Sequence, residues 1–413
     1  MQTLIHPELK GQPKVEEANS ILRSCVHCGF CLAACPTYQL SGNELDSPRG
    51  RIYLLKNLLE EDAIEGSSAL HLDQCLTCRA CETACPSGVK YSRLLDIGRE
   101  LIATRQKQRL PVRLLSQVVR LIVPRDYLFR PLLMMGQFLA PILPTIVAGK
   151  IPPVPGSINL ATEEPSAPRL RVLLLRGCVQ RAATPNVFIA LKYLLNEKGV
   201  TTSSLTEEGC CGALDYHMSA HETGRRRMRD LVDRLDDHLE QVDYIVSTAS
   251  GCGATLKEYP IYLSEDPEYV VKSRRINEKV VDVVELLGKF DFSCVPIRAS
   301  VHTPCSLQHG QSIDGEIERL LDKSGVTVTR SARIQPCCGS AGSYSIMHPG
   351  IAGRLRDRRL KALEANSPDV IVTANIGCQL HLQSGSGIPV MHWVELLQQQ
   401  LVETLDEDDA SFT

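Results

Sequence analysis

The chain has 413 residues, 43% of them apolar and 23% charged, and a formal net charge of −3. That length divides into two or three domains with real cores. The near-balanced charge excludes a disordered chain and a strongly basic nucleic-acid binder, so no nucleic-acid partner is expected. Seventeen cysteines are the unusual figure. The N-terminal stretch MQTLIHPELKGQPKVEEA has Pro7 and scattered charges where a secretory signal needs an apolar run. A cytoplasmic location is therefore expected, with peripheral attachment to the cytoplasmic face of the inner membrane as its variant. In a reducing compartment thiols serve as metal or redox ligands rather than as a disulfide framework.

In chain order, the first motif is Cys25, Cys28, Cys31 and Cys35, spaced C-x2-C-x2-C-x3-C and followed by Pro36. Cys75, Cys78, Cys81 and Cys85 repeat it, each displaced by 50 residues, and Pro86 follows. Three thiolates two residues apart can wrap a loop around one cluster face, with amide N–H groups directed at the sulfurs. In two-cluster ferredoxins the fourth cysteine, before proline, ligates the other cluster. The spacing thus assigns Cys25, Cys28, Cys31 and Cys85 to one [4Fe–4S] cluster. Cys75, Cys78, Cys81 and Cys35 go to a second. Zinc is the competing reading, but zinc sites join two C-x2-C halves rather than repeating this run.

Between the motifs, Ser47-Pro48 reads as an N-cap with proline in the first turn, followed by Ile52, Leu55, Leu58 and Leu59 at helical spacing. These 39 residues are expected to carry no cluster chemistry of their own. After the second motif, Leu94, Leu95, Ile97, Leu101 and Ile102 give another amphipathic helix. A helical two-cluster ferredoxin domain over residues 15–105 is the simplest container.

Residues 99–130 hold eight Lys or Arg against two acids, Glu100 and Asp126, interleaved with apolar side chains. Residues 131–149 have no charged side chain, but Pro141 and Pro144 interrupt them and argue against a membrane span. The segment 106–149 reads either as a basic, apolar surface for an anionic membrane or as helices packing on a partner or on the chain's own core. Five prolines and no hydrophobic period make residues 150–169 a linker.

The C-terminal half is duplicated. Cys178, Cys210, Cys211 and Cys252 recur as Cys305, Cys337, Cys338 and Cys378, at offsets of 127, 127, 127 and 126 residues. Both copies contain Cys-Cys-Gly. Apolar runs such as Val172-Leu173-Leu174-Leu175 and Val370-Ile371-Val372 lead toward these cysteines, and helical segments such as 188–196 intervene. That alternation predicts two parallel α/β modules, over 170–290 and 297–400, with the cysteines beyond the carboxyl ends of the strands. A V-E-L-L string at 284–287 recurs at 394–397, only 110 residues on, so the first module holds an insertion near 260–276. The fold class expected is multidomain α+β: the helical ferredoxin domain, then two cysteine-rich modules. Their eight cysteines admit a further iron–sulfur or metal centre, dithiol redox chemistry, or a structural role. His217, His302 and His381 lie near them in sequence as candidate neighbours or ligands. Arg225-Arg226-Arg227 reads as a solvated helix face, and Cys294 has no assigned role.

The strings CVHCGFCLAACPTY, SPRGRIYLLK and CLTCRACETACPSGVKY, with GCCGALDYH, SGCGATLKEYP, PCCGSAGSYSI and NIGCQLHL, resemble the glycolate oxidase iron–sulfur subunit family over nearly the whole chain. The wider family includes iron–sulfur subunits of anaerobic glycerol-3-phosphate dehydrogenase, lactate-utilisation proteins and heterodisulfide reductase. The resemblance implies two [4Fe–4S] clusters and electron transfer from FAD on flavoprotein partner subunits toward a quinone or other membrane acceptor. In the first of these systems glycolate becomes glyoxylate. The catalytic carbon chemistry would lie on the partners, since the chain has no G-x-G-x-x-G dinucleotide fingerprint and no P-loop. The alternatives are a lactate or glycerol-3-phosphate dehydrogenase subunit, or a heterodisulfide-reductase-like subunit with redox-active modules. Relatives often end each Cys-Cys-Gly module in C-x2-C. Here Cys252 and Cys378 are followed three residues later by Thr255 and His381, which argues against a five-cysteine cluster.

Overall fold

The computed structural model describes residues 1–61, 66–105, 110–144, 149, 151–156, 158, 160, 165–329 and 337–401. Parts of the segments read as 106–149 and as the 150–169 linker lie outside the described residues.

The N-terminal part is helical. The helix Pro13–Ser24 begins with proline at its first turn, where the absent N–H costs nothing, and ends at Cys25. Ser47 caps the helix Pro48–Glu61 as the sequence predicts: its Oγ accepts from the Gly50 amide at 2.9 Å. Ile52, Leu55, Leu58 and Leu59 are buried against Leu94, Leu95 and Ile97 of the helix Tyr91–Arg105. The two helices meet closely at Gly98, where an added Cβ would lie 2.0 Å from Leu55 Cδ2.

Each cysteine-rich module is a four-stranded parallel sheet with helices around it. The first has β1 (Leu170–Leu175), β2 (Val200–Ser203), β3 (Tyr244–Ser247) and β4 (Val280–Asp282), in the order β2-β1-β3-β4. The second repeats that order with β5 (Arg298–His302), β6 (Thr327–Thr329), β7 (Val370–Thr373) and β8 (Val390–His392), as β6-β5-β7-β8. Of the central strands, β1, β3 and β7 are near-continuous apolar runs, as burial on both faces of a parallel sheet favours, while β5 buries Ser300 and His302 beside Ala299 and Val301. The sequence-predicted insertion is the helix Pro267–Asn277, present before β4 and without a counterpart before β8.

The modules share one core. Val283, Val284, Leu286 and Leu287 of the first V-E-L-L region pack in the same cluster as Trp393, Val394, Leu396 and Leu397 of the second. Cys294 lines this core partly buried, with Sγ 3.9 Å from the Leu397 carbonyl, and burial raises its thiol pKa to about 11. It is a packing residue.

Helices Leu110–Ile122 and Asp126–Leu139 form a hairpin on the first module, held by Arg120 to Asp215 at 2.8 Å and by Asp126 to Arg181 at 3.6 Å. Leu110, Leu114, Leu121, Met134 and Phe138 remain exposed on it. No helix among the described residues is long and apolar enough to cross a membrane.

Substituting Gly98 by Val overfills the helix contact and is expected to destabilise the protein by ~1–3 kcal/mol. Leu55→Ala in the same chain should recover part of that loss. Thermal midpoints of the three variants test this; an unchanged midpoint for Gly98→Val would refute the packing account.

Candidate metal centres

The backbone of each C-x2-C-x2-C loop turns twice through the left-handed region. In the first loop His27 and Gly29 have φ of 56° and 85°; in the second, Thr77 and Arg79 have φ of 52° and 62°. Three of these four are not glycine, and a left-handed L-residue costs roughly 1–2 kcal/mol. Such conformations persist where the surroundings fix them. Arg79 is held by ion pairs to Glu82 at 2.8 Å and to Glu258 of the first module.

The turns gather the thiols around two adjoining hollows. One, of about 440 Å³, is lined by Cys25, Cys28, Cys31, Cys81 and Cys85. The other, of about 360 Å³, is lined by Cys35, Cys75, Cys78 and Cys81. Tyr91 borders both. The fourth cysteine of each motif therefore faces the hollow formed by the other motif. The expected amide donor is present at Thr77, whose N–H lies 3.4 Å from Cys75 Sγ, and Thr37 Oγ1 lies 3.2 Å from Cys35 Sγ. All seventeen cysteines are free thiols. Burial pushes the Cys31 thiol up to about 11 and those of Cys78 and Cys81 well above the usual range, so metal binding here must displace protons.

One expectation is overturned. The segment between the motifs does contribute to these hollows, because Arg49 lines the first and Arg51 the second. Arg51 is 1% exposed and donates to the His71 carbonyl at 2.7 Å and to Thr37 Oγ1 at 3.1 Å. Burial opposes its charge, yet the neighbouring Cys75, Tyr91, Cys35 and Asp46 raise its pKa above the ordinary value. Gly50 between the two arginines has no room for a side chain: a Cβ would lie 2.1 Å from the Glu44 carbonyl oxygen. Two arginines flanking an obligatory glycine, just inside a capped helix, were the available signal. A four-thiolate ring around iron is anionic, and buried guanidinium beside it suits such a group.

In the modules the cysteines lie past the carboxyl ends of the strands, as predicted. Cys178 and Cys305 follow β1 and β5, and Cys252 and Cys378 begin the helices Ser250–Lys257 and Ile376–Gln383. The glycine of each Cys-Cys-Gly is compulsory. Gly212 and Gly339 have φ of 83° and 87°, and a Cβ at either would lie 2.6 Å from a backbone carbonyl oxygen, of Gly224 or Ala352. In the first module Cys178 and Cys210 approach to 3.7 Å, and Cys211 and Cys252 to 3.4 Å. In the second, Cys305 stands next to Cys337 and Cys338 next to Cys378, matching the pairs of the first module.

The three histidines separate. His217 is exposed, edge-on to Tyr216. His381 Nε2 bonds to the Ala352 carbonyl at 3.2 Å and is a hydrogen-bonded neighbour. His302 is buried, and its ring lies with Cys338 and Cys378 so that one potential ligand atom from each falls within 4.8 Å of the others. It is the one such group among the described residues.

The modules also meet the helical domain. Cys78 is close enough to Cys305 and Cys337 for their charges to interact, and Leu76, Tyr344 and Leu355 pack around that contact. Tyr344 donates to the Gln74 carbonyl at 3.0 Å. The arginine run is not a simple solvated face. Arg225 pairs with Glu100 of the helical domain at 3.3 Å, and Arg227 pairs with buried Asp215 at 2.7 Å; Arg226 alone points to solvent. The sequence carried no sign that Glu100 and Asp215 would face them.

Residues 21–89 match the 4Fe-4S dicluster domain family, and residues 172–257 and 299–383 each match the Cysteine-rich domain family. The glycolate oxidase iron-sulfur subunit of Escherichia coli is 45% identical, over 97% of this chain and 99% of that protein. The chain belongs to the glycolate oxidase iron–sulfur subunit family. A probable glycolate oxidase iron-sulfur subunit of Bacillus subtilis is 30% identical, over 88% of this chain and 89% of that one. Lactate utilization protein A of an Exiguobacterium species is 26% identical, over 55% of this chain and 97% of its own length. The chain is an iron–sulfur protein with an electron-transfer role, built from a dicluster domain and two cysteine-rich modules.

Proposed function

We propose that the chain is the electron-carrying subunit of a flavin-dependent 2-hydroxyacid oxidase that converts glycolate to glyoxylate. The observation that carries this is the pair of adjoining thiol-lined hollows, read with the whole-length similarity to glycolate oxidase subunits. Cys25, Cys28, Cys31 and Cys85 hold one [4Fe–4S] cluster, and Cys75, Cys78, Cys81 and Cys35 hold the other. Cys81 borders both hollows, but its place in the second loop puts it with Cys75 and Cys78. Bound there, such clusters supply one-electron carriers whose potentials depend on hydrogen bonds to sulfur, local charge and burial. This chain's residues set those conditions. Thr77 directs its amide N–H at the Cys75 sulfur, and Arg49 and Arg51 place positive charge beside each ring.

Cys305, Cys337, Cys338 and Cys378 hold a further iron–sulfur centre in the second module. Its support is the close packing of Cys78 against Cys305 and Cys337, together with the buried Cys338, Cys378 and His302 group. FAD on the partner flavoprotein subunits is the electron source, and the hydroxyacid binds there. A membrane quinone is the acceptor. The exposed apolar side chains of the 110–139 hairpin, accompanied by exposed Arg113 and Arg130, provide a surface suited to an anionic bilayer on the cytoplasmic side.

Two experiments test this reading. The complex purified anaerobically with its flavoprotein partners should have its iron–sulfur absorbance bleached by glycolate and restored by a water-soluble quinone analogue. Bleaching by lactate or glycerol 3-phosphate alone would move the chain to another hydroxyacid system. Cys85→Ser should damage the centre held by Cys25, Cys28 and Cys31, read by EPR. Loss confined to the signal of the Cys75 loop would contradict the crossed ligand sets.

A further inference from the structure

The two modules have the same strand order and the same cysteine framework, so differences between matched positions show what the fold does not require. The register aligns Leu174 and Leu175 of β1 with Val301 and His302 of β5: the former pair with Val246 and Ser247, the latter with Val372 and Thr373. His302 precedes Cys305 by three residues, as Leu175 precedes Cys178. The helices behind the Cys-Cys-Gly loops align through Gly224 and Ala352, whose carbonyls face the matched glycines. Seven residues on from these stand Leu231 in the first module and Arg359 in the second. Two buried leucines, each 3% exposed, thus correspond to His302 at 2% and Arg359 at 0%. The fold tolerates an apolar pair here. Burying a histidine and a guanidinium instead is costly unless they meet partners.

Arg359 and His302 meet each other. Arg359 Nε lies 3.0 Å from His302 Nδ1, and a guanidinium can only donate. Nδ1 is therefore the acceptor, and the ring proton of the neutral imidazole resides on Nε2. Metal-binding histidines show the opposite polarity: the nitrogen away from the metal carries the proton and gives it to a carboxylate or carbonyl. Were Nε2 a ligand, Nδ1–H would point at the Arg359 N–H. Nε2 is buried and has no hydrogen-bond partner. A buried donor left in that state costs roughly 1–3 kcal/mol. One nitrogen of the His302 ring lies within 4.8 Å of the Cys338 and Cys378 sulfurs, and Nε2 is the nitrogen that Arg359 leaves without a partner.

We propose that His302 donates a hydrogen bond through Nε2–H to the thiolate-held centre of the second module, without ligating it, and that Arg359 is the positioning residue that fixes this tautomer. The proposal rests on the reading that Cys305, Cys337, Cys338 and Cys378 hold an iron–sulfur centre. A donor directed at ligand sulfur stabilises the more negative, reduced state and so raises the reduction potential. The second module is thereby tuned as an electron acceptor in a way the first module, with leucines at both positions, is not.

The test uses the full chain isolated anaerobically with its metals. His302→Leu installs the residue of the first module; it should keep the parent iron content and the EPR signal of the second-module centre, and shift its midpoint to lower potential. His302→Gln retains an N–H donor and should move the midpoint back toward the parent value. Iron loss in His302→Leu matching that of Cys338→Ser would make His302 a ligand and overturn the proposal, as would an unchanged midpoint. Should His302→Leu not fold, pulsed EPR of the parent decides. Weak nitrogen coupling with an exchangeable proton is expected, and strong coupling from a directly bound nitrogen overturns it. Cys338→Ser that leaves iron content and every EPR signal intact would instead refute the underlying centre.

Discussion

A ring of thiolates around iron is an anion, and holding it inside a protein requires opposing charge and hydrogen-bond donors within reach. Much of this molecule follows from that requirement. Arg51 sits almost fully buried between the Cys35 and Cys75 thiols, tied by the His71 carbonyl and by Thr37. Its helix begins at a serine cap and passes Glu44 so closely that only glycine fits between Arg49 and Arg51. The left-handed residues of the two cysteine loops turn successive thiols toward the same hollows. The local strain and the buried cations make sense as parts of one arrangement for holding anionic centres.

The same reasoning separates the duplicated modules. Both keep the compulsory glycine, the strand order and four cysteines, so duplication preserved the scaffold. Their environments differ. The first module joins the helical domain through half-buried ion pairs, Arg79 to Glu258 and Arg225 to Glu100. The second brings Cys305 and Cys337 against Cys78 in an apolar seam of Leu76, Tyr344 and Leu355. Arg359 also stands beside Cys337, Cys338 and Cys378, though burial draws its pKa down to about 10. A positive charge kept in so dry a place fits the thiolate-held centre proposed for the second module.

The parts of this organisation that are local in sequence were legible there. Cysteine spacing, the Ser47 cap, the apolar strand runs, the 127-residue duplication and the insertion before β4 each depend on neighbours a few residues away or on repetition. What the sequence concealed depends on pairing across long separations. Arg49 and Arg51 drew no expectation from sequence, because their anionic company comes from two distant loops. Arg225 and Arg227 looked solvated because Glu100 and Asp215 come from elsewhere in the chain. His302 could be singled out by proximity to Cys305, but not told apart from His217 and His381 until the fold set their distances. Cys294, unassigned from sequence, is explained by the core shared between the modules.

The central claim is that the cluster proposed at Cys35, Cys75, Cys78 and Cys81 stands beside a further iron–sulfur centre proposed in the second module. Magnetic coupling between reduced centres measures it most directly. EPR of the dithionite-reduced protein should show the signal of the Cys75 loop broadened by a neighbouring paramagnet. Cys338→Ser should remove that broadening, and Cys211→Ser in the first module should leave it unchanged. Broadening that survives Cys338→Ser but disappears with Cys211→Ser would contradict the account.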